Sequence, residues 1–323
     1  MIHAKQLSRT FETRRGREKV KVVAVAGVDI DVDDGEIVGF LGPNGAGKTT
    51  TLKMLTTLLK PTSGSALVAG HDVAEDPVSV RQAIGYVSQN GAASGEARAG
   101  DEIVDHALLY GIGKARAVAR GHELLEQLDL PNMWTRQAKT MSGGQRRRLD
   151  IAMGLVHDPK LIFLDEPTTG LDPQARANLW THISALRTDL GSTVFLTTHY
   201  LDEADALCDR IFVIDHGLIV ASDTPDHLKR SVRGDLIELT VADAEQATVA
   251  ARALNRMDGS TEQSTQGAVV SARVPNAGAT LPALLKGLDA EGVRLAAVDV
   301  RRPTLDDVFL TLTGRSLRDD EAA

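Results

Sequence analysis

Short apolar runs alternate along the chain with stretches whose apolar residues recur at helical spacing. Val20–Val32, Glu36–Leu41, Ile84–Ser88, Leu161–Leu164, Thr193–Thr197 and Arg210–Asp215 read as strands. Helices are predicted over Gly47–Leu59, stopped near Pro61, over 101–130 and over 144–157. Two more are predicted over Asp172–Leu190, where Pro173 sits at a tolerated early position, and over Leu201–Ala206. Alternation of this kind predicts an α/β fold with a mostly parallel central sheet and helices on its faces.

The pattern restarts near Ser231. Leu236–Val241, Ala268–Val274 and Val293–Val300 read as strands; Ala244–Met257, Thr280–Leu288 and Leu305–Leu312 read as helices. Thr304 and Asp307 have the spacing of a capping box, with Asp in place of Glu. Residues 258–267 are polar and predict a loop, and the tail 316–323 predicts frayed chain. The expected division is a domain over 1–230, with a helical subdomain at about 90–157, and a small C-terminal α/β domain over 231–315, dimerising or regulatory in role.

Composition narrows the function classes. A chain of 323 residues suggests about two domains at about 150 residues each. With 42% apolar and 25% charged residues it is neither disordered nor collagen-like. Cys208 is the single cysteine, which rules out a disulfide scaffold and fits a reducing compartment. The net charge is −8, and residues 231–323 hold 10 basic and 14 acidic residues, so neither part is a basic nucleic-acid binder. Aromatics at 3% are few for stacking bases, and no nucleic-acid partner is expected. No signal-peptide core is visible near Met1, and no apolar run approaches the ~18–20 residues needed to span a bilayer. Any membrane role would therefore run through a partner.

The first chemical signal is Gly42-Pro43-Asn44-Gly45-Ala46-Gly47-Lys48-Thr49, between a predicted strand and a predicted helix. This is the phosphate-loop pattern in its required context. Glycines let successive N–H groups point inward, and these donors with the helix N-terminus hold polyphosphate. Lys48 supplies a point charge to the β- and γ-phosphates, and the Thr49 hydroxyl suits Mg²⁺. Residues 42–49 and Thr50 are the candidate nucleotide-binding set, with Lys48 also a catalytic candidate.

The second signal is an apolar strand ending in two carboxylates, Asp165 and Glu166. Neighbouring strand residues face opposite sides, so the two need not share a role. Asp165 suits the shell of Mg²⁺, and Glu166 suits orienting and deprotonating a water. The third is Met141-Ser142-Gly143-Gly144-Gln145 at the head of a helix. It reads as a second anion site, redundant within one chain unless it serves another, or as a Ser-capped helix start.

With these three motifs in order, the sequence resembles the ATP-binding cassette (ABC) family over about Met1 to Lys229. Gly42–Thr49 resembles its Walker A loop, Gln89 its Q-loop glutamine, Ser142–Gln145 its signature and Leu161–Glu166 its Walker B strand. Gly170-Leu171-Asp172 resembles its D-loop and His199 its switch histidine. The resemblance implies a phosphate-loop NTPase domain and a head-to-tail dimer, with each ATP between one subunit's Walker motifs and the other's signature. It implies that Gln89 touches Mg²⁺ or the attacking water, that His199 contacts the γ-phosphate and that Asp172 reaches across the dimer. Phe11 is its candidate for stacking on adenine, although a basic, strand-like insert at Thr13–Lys21 follows it and a core role is open too.

Gly144–Ala152, Thr197–Asp205 and Arg301–Leu310 are similar to the daunorubicin-resistance type of exporter ATPase and extend the resemblance to about Gly314. That subfamily implies a cytoplasmic ATP hydrolase, peripheral on the inner face of the membrane. It would work with a separate integral membrane permease to export drugs, lipids or other apolar compounds. A soluble non-transport ABC ATPase and a nucleotide-gated regulatory module are the alternatives. The former in its repair versions calls for a long coiled-coil insert or a basic face, and intact Glu166 and His199 argue against the latter.

Overall fold

The computed structural model describes residues 1–15, 18–232 and 234–314, so the tail expected over 316–323 and part of the basic insert lie outside the described residues. The chain forms two compact units that divide between Pro225 and Asp226.

The first unit opens with a long antiparallel hairpin, β1 (Ile2–Arg15) and β2 (Glu18–Val32). After it come β3 (Ile37–Leu41), α1 (Lys48–Leu55), β4 (Ser63–Val68), β5 (His71–Asp72), α2 (Pro77–Ala83) and β6 (Ile84–Val87). Three helices follow, α3 (Ala99–Leu109), α4 (Lys114–Gln127) and α5 (Gly143–Leu155). The chain then returns through β7 (Leu161–Asp165), α6 (Pro173–Thr188), β8 (Thr193–Thr198), α7 (Leu201–Leu207), β9 (Arg210–Asp215) and β10 (Leu218–Asp223).

Six strands make the central sheet, in the order β10-β9-β3-β8-β7-β6. All its pairs are parallel except β10 with β9. A four-stranded antiparallel sheet, β2-β1-β4-β5, shares an apolar core with it that includes Leu7, Val28, Phe40, Leu52, Phe163 and Phe195. Every residue of β3, β7 and β8 is buried, which explains their continuous apolar runs.

Register places the functional ends. Leu41 pairs with Thr198, Asp165 with Thr197, and Val87 with Leu164. The carboxyl ends of β3, β8, β7 and β6 therefore stop along one line, the edge at which open α/β sheets bind ligands.

In the second unit α8 (Pro225–Ser231) precedes β11 (Asp235–Val241), α9 (Ala244–Asn255), β12 (Thr261–Gln266) and β13 (Val269–Val274). Then come α10 (Ala277–Ala290), β14 (Leu295–Arg301) and α11 (Leu305–Thr313). Its antiparallel sheet runs β12-β13-β11-β14, so β11 to β14 with α9 and α10 make the split β-α-β-β-α-β arrangement. Ile237, Leu239, Ala250, Leu254 and Leu288 are in its core. The Thr304–Asp307 capping box is formed, in both directions.

Four local expectations change. The helix expected over 101–130 is two, because the chain turns at Gly111, φ +74°, between α3 and α4. The helix expected to reach Leu59 ends at Leu55, with Thr57 left-handed at φ +62°. The polar stretch read as a loop contains β12, an edge strand with almost every residue exposed. Such a strand is held by backbone pairing and leaves no apolar alternation to read. β1 went unread for another reason: irregularities in its pairing between Ala4 and Leu7 break the period-two pattern.

Candidate functional site

The loop after β3 is shaped by what surrounds its glycines. A Cβ on Gly42 would stand 2.2 Å from the Ile214 carbonyl oxygen. Gly47 has φ +110°, and a Cβ there would stand 2.6 Å from the Ala24 carbonyl oxygen. Only glycine fits both places, and β9 and β2 brace the loop through them. Gly47 then starts α1, so the helix N-terminus opens at Lys48.

Lys48 is buried, with its Nζ donating to the carbonyls of Gly42 at 2.7 Å and Pro43 at 3.1 Å. The same Nζ lies 3.5 Å from Oε1 of Glu166. Thr49 Oγ1 donates to Asp165 Oδ1 at 3.2 Å, and Thr197 Oγ1 donates to the same oxygen at 2.7 Å. Thr50 lies beside Thr49 in the first turn of α1, half-buried.

Glu166 follows β7 in a left-handed conformation, φ +44°. For a residue with a side chain that costs roughly 1–3 kcal/mol, and it persists only where neighbours hold it. Its N–H donates to Thr197 Oγ1 at 3.0 Å and lies 3.2 Å from the Thr197 carbonyl oxygen. Oε2 of Glu166 accepts from Gln89 Nε2 at 3.0 Å and Thr169 Oγ1 at 3.2 Å, and it lies 3.3 Å from Nδ1 of His199.

Burial pushes the Glu166 carboxyl up, but the His199 contact and the Lys48 charge outweigh it and hold the pKa at about 2. For Lys48 burial is the largest influence and lowers its pKa, against the pull of Glu166 and Asp165. The two shifts differ in cause: at Glu166 the His199 and Lys48 contacts win over burial, whereas at Lys48 burial wins over its carboxylate partners. Glu166 is a carboxylate, and Lys48 is its counter-cation.

The structure thus brings Lys48, Thr49, Asp165, Glu166, Gln89 and His199 together at the line of strand ends. Ser142, Gly143, Gly144 and Gln145 form the turn that opens α5, Asp172 caps α6 and Phe11 lies against Arg9. Ser142 Oγ accepts from the Gln145 N–H at 3.2 Å, and the Gln145 side chain accepts from the Ser142 N–H at 3.0 Å. This capping box heads α5, with Ser142 and Gly143 exposed. Asp172 caps α6 by accepting from the Ala175 N–H at 2.9 Å and is also exposed. Phe11 lies on β1 with the Arg9 guanidinium 4.7 Å from its ring centre, so a cation covers one face.

Sequence reasoning missed Thr197, whose hydroxyl links Asp165 to the Glu166 N–H. A signal was present: the apolar β8 ends in Thr197-Thr198-His199, as β7 ends in Asp165-Glu166. It also missed Arg147 and Asp150, whose partners are distant in sequence, and Thr169, whose partner Glu166 is three residues away.

Comparison with known proteins gives the family. A family model described as "ABC transporter" matches residues 25–169, and one described as "ATP-binding protein DrrA1-3-like, C-terminal domain" matches residues 224–313. The chain is 43% identical over 313 residues to the daunorubicin resistance ATP-binding protein DrrA2 of Streptomyces coeruleorubidus, covering 97% of this chain and 96% of that protein. It is 35% identical to the linearmycin resistance ATP-binding protein LnrL of Bacillus subtilis (strain 168), covering 93% and 96%. Among solved structures it is similar to the dimeric ATP-binding cassette MJ0796 bound to ADP and Pi in a post-hydrolysis state. That match has TM-score 0.61 and 25% identity, over 69% of this chain and 98% of the other. A structure of the ATP-binding subunit of an ABC transporter also matches, with TM-score 0.61 and 27% identity over 71% and 92%.

Proposed function

The chain belongs to the ATP-binding, ATP-hydrolysing subunits of ABC transporters, and on that premise we propose that it powers export of a drug or other apolar compound through a separate membrane permease. The names of its relatives, which include daunorubicin and linearmycin resistance, support that cargo class. Among the described residues no helix is long and apolar enough to cross a membrane. The cargo path then belongs to the permease, and this chain would sit against its cytoplasmic side.

Two copies would pair head to tail, each completing the other's site. The redundancy of the Ser142–Gly144 helix start within one chain supports this, as does the exposure of Ser142 and Gly143. The single observation that carries the catalytic reading is the line of strand ends, which gathers an ammonium, two carboxylates, an amide and an imidazole at one helix N-terminus.

The donor set fits Mg²⁺: Thr49 Oγ1 and Asp165 Oδ1 are oxygen atoms 3.2 Å apart, the ligand type a hard cation takes. The ion would supply charge neutralisation on the phosphates. Lys48 holds the phosphates by its charge, and Gln89 and His199 orient the groups around Glu166. While Lys48 lies against it, Glu166 is a weak base. When Lys48 engages phosphate instead, Glu166 keeps the larger influence of His199 and loses that of Lys48, so its pKa rises from about 2 and it becomes a better proton acceptor.

The test is Glu166→Gln in the full chain. Turnover should fall ~10²–10⁴-fold with ATP affinity kept. A purified variant hydrolysing ATP at the parent rate would remove Glu166 from the role.

A further inference from the structure

The helix that begins at the Ser142 turn carries a second device. Arg147 and Asp150 lie three residues apart on one face of α5, and both are buried, at 7% and 4% exposure. Buried charges of this kind are rarely kept unless each is fully bonded. Here they are bonded to backbone. Arg147 Nε donates to the Pro167 carbonyl at 2.9 Å, one terminal nitrogen donates to the Asp165 carbonyl at 2.9 Å, and the other donates to the Ser88 carbonyl. Asp150 Oδ1 accepts from the Ala92 N–H at 2.8 Å and the Ala93 N–H at 3.1 Å. A Cβ on Gly91 would stand 2.6 Å from Asp150 Oδ2, so the segment lies directly on the carboxylate.

These bonds bracket two residues of the site. Ser88 and Ala92 flank Gln89, and Asp165 and Pro167 flank Glu166. Gln89 and Glu166 meet through the 3.0 Å bond from Nε2 to Oε2. Neither Arg147 nor Asp150 has a recorded contact with residues 42–50.

We infer that Arg147 and Asp150 are positioning residues that set the Gln89–Glu166 geometry from α5, so that the turnover step depends on them while nucleotide affinity does not. The inference rests on the reading of Glu166 as the residue that activates water. It gives a physical role to the Arg147-Arg148-Leu149-Asp150 stretch, which follows the signature and which nucleotide binding leaves unexplained. The device is a clamp: a cation on three carbonyls and an anion on two N–H groups, both on one rigid helix.

The experiment uses the full chain as Arg147→Met, Asp150→Ala and Asp150→Asn, with Glu166→Gln run beside them. Displacement of a catalytic group by about 1 Å can cost about 10²-fold in rate, and losses of about that size in kcat are expected for Arg147→Met and Asp150→Ala. KM for Mg-ATP should stay within about twofold. Amide hydrogen exchange at Ala92 and Ala93 should quicken in Asp150→Ala while the amides of α1 keep their protection.

Parent-level kcat in either variant overturns the inference. So does a folded variant that loses ATP affinity along with turnover, since that describes general scaffold damage. If Arg147→Met or Asp150→Ala fails to fold, Asp150→Asn decides. It keeps the shape and loses the charge, and a partial kcat loss at unchanged KM with faster exchange at Ala92 and Ala93 is expected; parent behaviour overturns the inference. Should Glu166→Gln turn over at the parent rate, the reading of Glu166 fails. Should it be inactive while the α5 variants are indifferent, only the positioning role fails.

Discussion

Two glycine-rich helix starts stand in the first unit, and the reasons for their glycines differ. In the phosphate loop, Gly42 and Gly47 meet Ile214 and Ala24 backbone oxygens at distances no Cβ tolerates, and Gly47 is left-handed. In the signature turn, a Cβ on Gly143 would meet only the Leu171 side chain at 3.4 Å, and one on Gly144 only the Ala175 side chain at 3.2 Å. Neither Gly143 nor Gly144 has a positive φ. The first turn needs its glycines to fold. The second has no strong internal need for them, as the proposed contact with a second copy would require. The same contrast holds for the polar side chains: that of Lys48 is buried against Glu166, whereas those of Ser142 and Gln145 accept from each other's backbone N–H.

The comparison can be broken at three places. The largest effect is expected at Lys48. Lys48→Ala removes a charge-assisted contact worth ~1.5–3 kcal/mol, so affinity for a non-hydrolysable ATP analogue should fall roughly ten- to a hundred-fold in calorimetry. Unchanged binding would mean that the loop is not the nucleotide site. The fold of the variant should be watched too, because Glu166 loses its buried counter-cation.

Next comes Gly42→Ala. Forcing a methyl against a backbone oxygen should destabilise the chain by ~1–3 kcal/mol in urea unfolding, as overpacking does. Stability equal to the parent would show that the Ile214 strand can retreat, and the claim that the loop is rigidly braced would fall.

The smallest effect on the isolated chain is expected at Gly144→Ala. Its neighbour must give slightly at 3.2 Å, while alanine is the better helix former by ~1 kcal/mol, so stability should change little. Turnover per chain should nevertheless drop if the turn meets ATP held by a second copy. Ser142→Arg sharpens this: it should leave binding by the single chain nearly intact and prevent the Mg-ATP dimer of Glu166→Gln in light scattering. A Glu166→Gln, Ser142→Arg chain that still dimerises with Mg-ATP would confine Ser142 to its capping role.

Much of the site was legible because its chemistry is local in sequence. Gly42–Thr49 is contiguous, and Asp165-Glu166 ends an uninterrupted apolar strand. Thr197, Arg147 and Asp150 were not legible, since each acts on a partner contributed by another segment; Thr169 was missed although its partner Glu166 is three residues away. The Asp165–Thr197 hydroxyl bond spans 32 residues and the Asp150–Ala92 bond 58. Elements differed in the same way. β7 and β8 announce themselves by burial on both faces, whereas β12 is exposed and stands only because β13 pairs with it.

The sequence by itself determined that the chain has two α/β units, that the first carries a phosphate loop, a paired-carboxylate strand end and a capped glycine turn, and which family these name. Those features are set by composition and spacing within a few turns of chain, where periodicity and backbone sterics act. The tertiary structure alone decided that β3, β8, β7 and β6 end in line and that Lys48 neutralises Glu166. It alone decided that one helix grips the backbone on both sides of Gln89 and Glu166. Those facts follow from strand register and from the need to satisfy buried charges, and both are set by segments that meet only when the chain is folded.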